Sequence, residues 1–247
     1  MTRAKKQSKP SPILQRRILP TDSLDFFPTP PWATRAFVHE VLFANDMAHA
    51  DQSVWEPAAG EGHMAEPLRE SFARVHASDV HDYGEGYAIG SFVGHGAQGG
   101  SLDLDLARCP FRADWIISNP PFVLAREFVM RALDEAAVGV AFILRLAWLE
   151  AEERFEEIFS RRPPALIAQC VDRVPMHKGR YDPTGSTTMA YAWFVWTREC
   201  RGNGRPELTW IKPGAPSRWI RPHDLTPRFA RSVDTHPSLF EAETAQA

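Results

Sequence analysis

Ala113-Asp-Trp-Ile-Ile-Ser-Asn-Pro-Pro-Phe122 is the stretch on which the fold turns. Its apolar, β-branched first half reads as a buried strand. Two consecutive prolines cannot continue a ladder, so the strand must stop at Asn119. Pro120 also biases Asn119 toward an extended backbone. In open α/β sheets ligands bind at the carboxyl ends of the strands. An amide, two rigid carbonyls and an aromatic ring are therefore expected at one spot: Asn119, Pro120, Pro121 and Phe122.

That combination suits one chemistry. The lone pair of a base's exocyclic amine is conjugated into the ring and is a poor nucleophile. If the Asn119 amide oxygen and the Pro120 carbonyl accept its two N–H groups, the nitrogen can pyramidalise and attack. Phe122 offers a face for a planar base, a contact worth about 1–3 kcal/mol in nucleic-acid sites. The expected reaction is methyl transfer to a planar amine, with Asn119, Pro120, Pro121 and Phe122 as the catalytic set.

Upstream, Ser53-Val-Trp-Glu56 ends a short strand, and Pro57-Ala-Ala-Gly60-Glu-Gly62 leads into a helix near His63 to Ala73. Small residues at such a turn let the backbone approach a ligand closely. The anionic Glu56 argues against a phosphate there and favours a ligand with a cationic amino-acid end and a sulfonium. Arg74 to Asp79 reads as a second strand ending in a carboxylate, the position that meets ribose hydroxyls in such units. Asp103 and Asp105 alternate before the Asn119 strand, so one of them can reach an adenine amino group.

Glu56-Pro-Ala-Ala-Gly-Glu-Gly62, Asp79, Asp103 and Asn119-Pro-Pro-Phe122 together resemble the ordered motifs of S-adenosylmethionine-dependent amino-methyltransferases of nucleic acids. Asp25-Phe-Phe-Pro-Thr29-Pro-Pro31-Trp-Ala-Thr34, Phe142 to Glu150 and Met189 to Trp196 are similar to phage and prophage DNA adenine methyltransferases. The resemblance covers about residues 22 to 197. It implies a doubly wound, mostly parallel seven-stranded sheet with an antiparallel last strand, the class I methyltransferase architecture. It also implies S-adenosylmethionine held by Thr29, Pro30, Glu56, Pro57, Ala58, Gly60, Gly62, Asp79 and Asp103, with Thr29-Pro30 closing over its methionine end. The implied substrate is adenine N6 in duplex DNA, reached by flipping the base. Cytosine N4, an RNA amine or a glutamine amide would use the same acceptors, and a non-catalytic relic is the contrasting class. The chain departs from the family pattern between Tyr83 and Gly100, where no third strand is clear, and at His63-Met64, where an aromatic is usual.

Composition sets the frame. A chain of 247 residues supports one α/β domain with extensions, divided here as a basic tail over 1–21, a catalytic domain over 22–198 and a Pro/Arg-rich appendage over 199–247. Cys109, Cys170 and Cys200 lack metal-ligand spacing, so no metal is expected and the thiols read as reduced, in a cytoplasmic protein; the resemblance implies a bacterial or phage-infected cell. No membrane association is expected, and the protein is read as a monomer or weak dimer. Net charge is -3, but Arg3, Lys5, Lys6, Lys9, Arg16 and Arg17 all precede the first acid, Asp22, and suit a phosphate backbone. The loop carrying His177, Lys178 and Arg180, between the last two expected strands, is the second candidate nucleic-acid contact. Trp210 and Trp219 are expected to anchor the appendage, and Ala147 to Phe159 to form one amphipathic helix.

Overall fold

The computed structural model describes residues 25–94, 106–198, 205–227 and 229. Asp103, Cys200 and the basic tail to Arg17 lie outside the described residues. Eight strands form one sheet: β1 (Ser53–Glu56), β2 (Arg74–Asp79), β3 (Ala88–Ile89), β4 (Trp115–Ser118), β5 (Gly139–Arg145), β6 (Leu166–Cys170), β7 (Tyr191–Thr197) and β8 (Glu207–Ile211). Their order is β3-β2-β1-β4-β5-β7-β6-β8. All neighbours are parallel except the two pairs that β7 makes with β5 and β6. The doubly wound, mostly parallel α/β fold expected from the alternating pattern is what the chain adopts.

Sidedness follows from the strand period of two. On β7, Tyr191, Trp193 and Val195 face one core, while Ala192, Phe194 and Trp196 face the other. Helix α1 (Pro31–Phe37) and α2 (Ala65–Ser71) cover the first face, and α3 (Ala125–Glu135) the second. Pro31 opens α1, where its fixed φ fits and its missing N–H costs nothing. Phe37 stacks on Trp193 with ring centroids 4.0 Å apart. All seven residues of α1 are buried, because the sheet lies on one side and the C-terminal segment on the other.

Three expectations need correction. The sheet has eight strands rather than seven, because Glu207-Leu-Thr-Trp-Ile211 in the appendage pairs in parallel with β6. The prolines around it forbid a long element, yet five residues are enough for an edge strand. β7 lies inside the sheet, paired with β5 on one side and β6 on the other. The helix expected over Ala147 to Phe159 is broken at Ala151, whose φ is +100°, into a 3₁₀ turn (Leu146–Leu149), α4 (Glu152–Arg154) and a wide turn (Phe155–Phe159). Of the two expected anchors only Trp219 packs, stacked on His39 and donating to Glu40 Oε1 at 2.6 Å, while Trp210 is mostly exposed. Trp219 belongs to the short helix α5 (Ala215–Trp219).

Beyond α5, Asp224 and Arg35 form a fully buried pair, with Arg35 Nη1 2.6 Å from Asp224 Oδ2 and Nη2 2.9 Å from Oδ1. Glu70 on α2 takes the other edge of the same guanidinium at 2.7 and 2.8 Å. Three elements far apart in sequence are thus closed on one cation.

Candidate active site

A cavity of about 250 Å3 opens where β1, β2 and β4 end. Glu56, Asp79 and Asn119 reach it because each closes or follows its strand. Thr29, Pro57, Ala58 and Pro121 also line it. Seven residues singled out from the sequence are thus brought to one space. Pro30, Gly60, Gly62, Pro120 and Phe122 stand outside its lining.

The turn after β1 is built by backbone need. Gly60 and Gly62 have φ of +53° and +87°. A Cβ on Gly60 would sit 2.5 Å from the Phe26 ring, and one on Gly62 would sit 2.2 Å from the Tyr87 hydroxyl oxygen. The Gly60 N–H donates to Asp79 Oδ2 at 2.8 Å, so the turn and the end of β2 are one unit. The His81 N–H donates to Asp79 Oδ1 at 3.0 Å. Burial raises the Asp79 carboxyl above its usual range, and these backbone donors oppose the rise.

Glu56 is the electrostatic oddity. It is buried, its Oε2 has no hydrogen-bond partner, and burial together with the charge of Asp79 pushes its carboxyl well above the ordinary carboxylate range. The charge of Arg69 acts the other way. Such a group favours a cation arriving in the cavity. The Thr29 hydroxyl, buried in the same lining, also lacks a partner.

Asn119 is held by its amine end. Its Nδ2 donates to the Phe27 carbonyl at 2.8 Å and contacts Met176 Sδ at 3.6 Å. Its Oδ1 is buried without a donor. An amide fixed in this sense presents only an acceptor. Asp25 fixes the next turn: its Oδ2 takes the Phe122 N–H at 2.6 Å. The loop with His177, Lys178 and Arg180 is beside the same site, tied by Gly179 N–H to the Phe26 carbonyl at 2.8 Å. Lys178 is exposed there. The loop also carries an acid, Asp182: burial raises its carboxyl, and the Thr184 hydroxyl and N–H, with the charges of His177 and Arg180, bring it below the usual range.

Several lining residues carried no role in the sequence reading: Phe26, Phe27, Tyr83, Ser91 and Phe92. Phe26 and Tyr83 pack at 4.9 Å over the glycine turn. The signal for Phe26 and Phe27 was their pairing ahead of Pro28-Thr29, in a stretch with no helical or strand period. Among the described residues no helix is long and apolar enough to cross a membrane, and no group of three metal-ligating side chains occurs.

No protein-family model matches the chain, and no curated protein is similar to it in sequence. Solved structures are similar in fold. One is a type I restriction-modification methyltransferase subunit from Streptococcus thermophilus (TM-score 0.49, 6% identity, 77% of this chain and 51% of that one). Another is a modification subunit assigned to a type I restriction enzyme of Vibrio vulnificus YJ016 (TM-score 0.47, 14% identity, 86% and 54%). A third is the magnesium protoporphyrin IX methyltransferase of Synechocystis PCC 6803 with bound S-adenosylmethionine (TM-score 0.42, 13% identity, 68% and 79%). This chain spans about half the length of the two restriction subunits.

Proposed function

We propose that the protein is an S-adenosylmethionine-dependent methyltransferase acting on an exocyclic amine of a nucleic-acid base, adenine N6 in DNA. The observation that carries the reading is Asn119, whose Nδ2 is spent on the Phe27 carbonyl while its buried Oδ1 is left open at the carboxyl end of β4. An amine donor is what that oxygen lacks.

The residues around the glycine turn fit the cofactor. Glu56 Oε2 and Thr29 Oγ1 are buried polar atoms without partners, suited to a cationic amino-acid end. Gly60 and Gly62 keep side chains away from the wall, and the carboxylate of Asp79 has lone pairs left for ribose hydroxyls. Thr29, Glu56, Pro57, Ala58 and Asp79 would hold it, with Pro30, Gly60 and Gly62 shaping their positions. When bound, S-adenosylmethionine supplies an electrophilic methyl group on its sulfonium.

The chain's own residues do the rest. Asn119 Oδ1 and the Pro120 carbonyl accept the two amine N–H groups, which localises the nitrogen lone pair and stabilises positive charge as it develops. Pro121 and the Asp25 cap hold that turn rigid, and Phe122 gives the base a surface. The nitrogen would bond to the methyl carbon as the carbon–sulfur bond breaks, its electron pair leaving with a neutral thioether, and the nitrogen would then release a proton to water, so no general base is required.

Calorimetry with S-adenosylmethionine and its demethylated product is expected to show saturable binding; no binding at millimolar cofactor overturns the reading. Mass spectrometry of nucleosides from cells expressing the protein is expected to show N6-methyladenine in DNA. N4-methylcytosine, or methylation confined to RNA, would move the substrate while keeping the site. Unmodified nucleic acid with intact cofactor binding would favour a relic.

A further inference from the structure

Arg145 closes β5, the parallel neighbour of β4, and so stands on the same rim as Asn119. Its guanidinium carbon lies 4.2 Å from the centroid of the Phe122 ring. It also meets Tyr191, its partner in the β5–β7 register: burial raises that hydroxyl, and the hydrogen bond and charge of Arg145 oppose the rise, so the guanidinium has a neutral partner there but no anionic one. The side chain is half-buried, its Nε is buried with no acceptor, and among the described residues no carboxylate is within ion-pair distance. Arg126, by contrast, is met by Glu127, Glu153 and Glu157. A guanidinium kept partly out of water with no counter-charge is incompletely satisfied.

We propose that Arg145 is the phosphate contact of the substrate nucleotide, an inference that rests on the nucleic-acid reading of the site above. In the free protein the planar guanidinium rests on Phe122. When a base takes a face of that ring, the sugar and phosphate attached to it enter the same rim, and the guanidinium turns its donors to the phosphate oxygens. Arginine suits both states, because its plane stacks on an aromatic face and its fork matches two phosphate oxygens. The role selects a nucleotide within a strand over a free base or nucleoside, and it couples capture of the base to recognition of the backbone. Lys178 and Arg180 on the neighbouring loop carry contacts further along the strand.

The test uses the full-length protein, an adenine-containing single-stranded oligonucleotide and 2′-deoxyadenosine. Arg145→Ala is expected to weaken oligonucleotide binding about tenfold or more, with inhibition by deoxyadenosine changed less than twofold. The slope of log affinity against log salt should flatten by about 0.7 for the single strand. Arg145→Lys should restore the slope, because charge is kept, while leaving affinity short of wild type. Cofactor affinity and melting temperature should stay unchanged in both, which separates a contact from a packing role, and Arg126→Ala serves as the paired-arginine control. An unchanged affinity and slope in Arg145→Ala, with wild type methylating the oligonucleotide, overturns the assignment alone. An equal loss toward deoxyadenosine overturns it in favour of a base contact. A wild-type protein that neither binds nor methylates the oligonucleotide, as a single strand or annealed to its complement, overturns the functional reading, and this assignment with it.

Discussion

Asn119 presents a single open oxygen, its buried Oδ1, so small changes there are informative. Asn119→Ala should keep cofactor binding and lower methyl transfer by about 10²–10³-fold, the scale of removing one preorganised partner. Asn119→Asp should do no better, because a carboxylate oxygen would then face the Phe27 carbonyl that now accepts from Nδ2. Single-turnover rates on the methylated substrate check both. Glu56 makes a different prediction. Its folded carboxyl is raised above the ordinary 4.5, so the folded protein holds a proton that the unfolded chain releases. Stability from this group is full below about that value and is lost as pH rises through the raised one. Ligand-free melting temperature should therefore fall across that window, and Glu56→Gln should flatten the fall. A cation bound beside Glu56 draws the carboxyl back down, so cofactor binding should release a proton and strengthen with pH. Calorimetry in buffers of different ionisation enthalpy measures that release.

The glycine turn and the C-terminal clasp show what each element contributes. Gly60→Ala puts a Cβ against Phe26 in a left-handed backbone, so it should weaken cofactor binding more than overall stability. Calorimetry beside thermal melting tests the comparison. Asp224→Ala strips a carboxylate from a guanidinium that is fully buried, and should cost roughly 3 kcal/mol in urea unfolding. These elements differ in how far a reader of sequence can see them. Asn119 with its prolines, and Glu56 with its glycines, were legible because strand end, turn and ligand-facing group are adjacent in the chain. β8 was not, because its five residues pair with β6 across a long separation and sit among prolines. The Asp25 cap on Phe122 was equally hidden, since nothing local ties residue 25 to residue 122. Arg145 was visible within a motif, but its want of a counter-charge is a fact of three dimensions.

Across the whole molecule, charge is arranged by place rather than by sum. The net charge of -3 says little about affinity for nucleic acid, while Lys178 and Arg180 stand beside the cavity on a loop tied to Phe26. If both meet phosphates, Lys178→Ala with Arg180→Ala should weaken duplex binding for all sequences and flatten the salt slope by about 0.9 per lost contact. Cofactor affinity should not change; filter binding over a salt series reads both effects. The clasp of Arg35 by Asp224 has a further consequence. It spans 189 positions, and Phe229, buried beyond it, offers its carbonyl to His63 at 3.1 Å behind the cavity. The ribosome delivers α1 early and its closing partner late. A nascent chain cannot seal the back of its own pocket until residue 229 has emerged, and until then the buried side of α1 stays open to solvent and to chaperones. Closure of that wall therefore waits on residues 224 to 229, whatever the strands have already achieved.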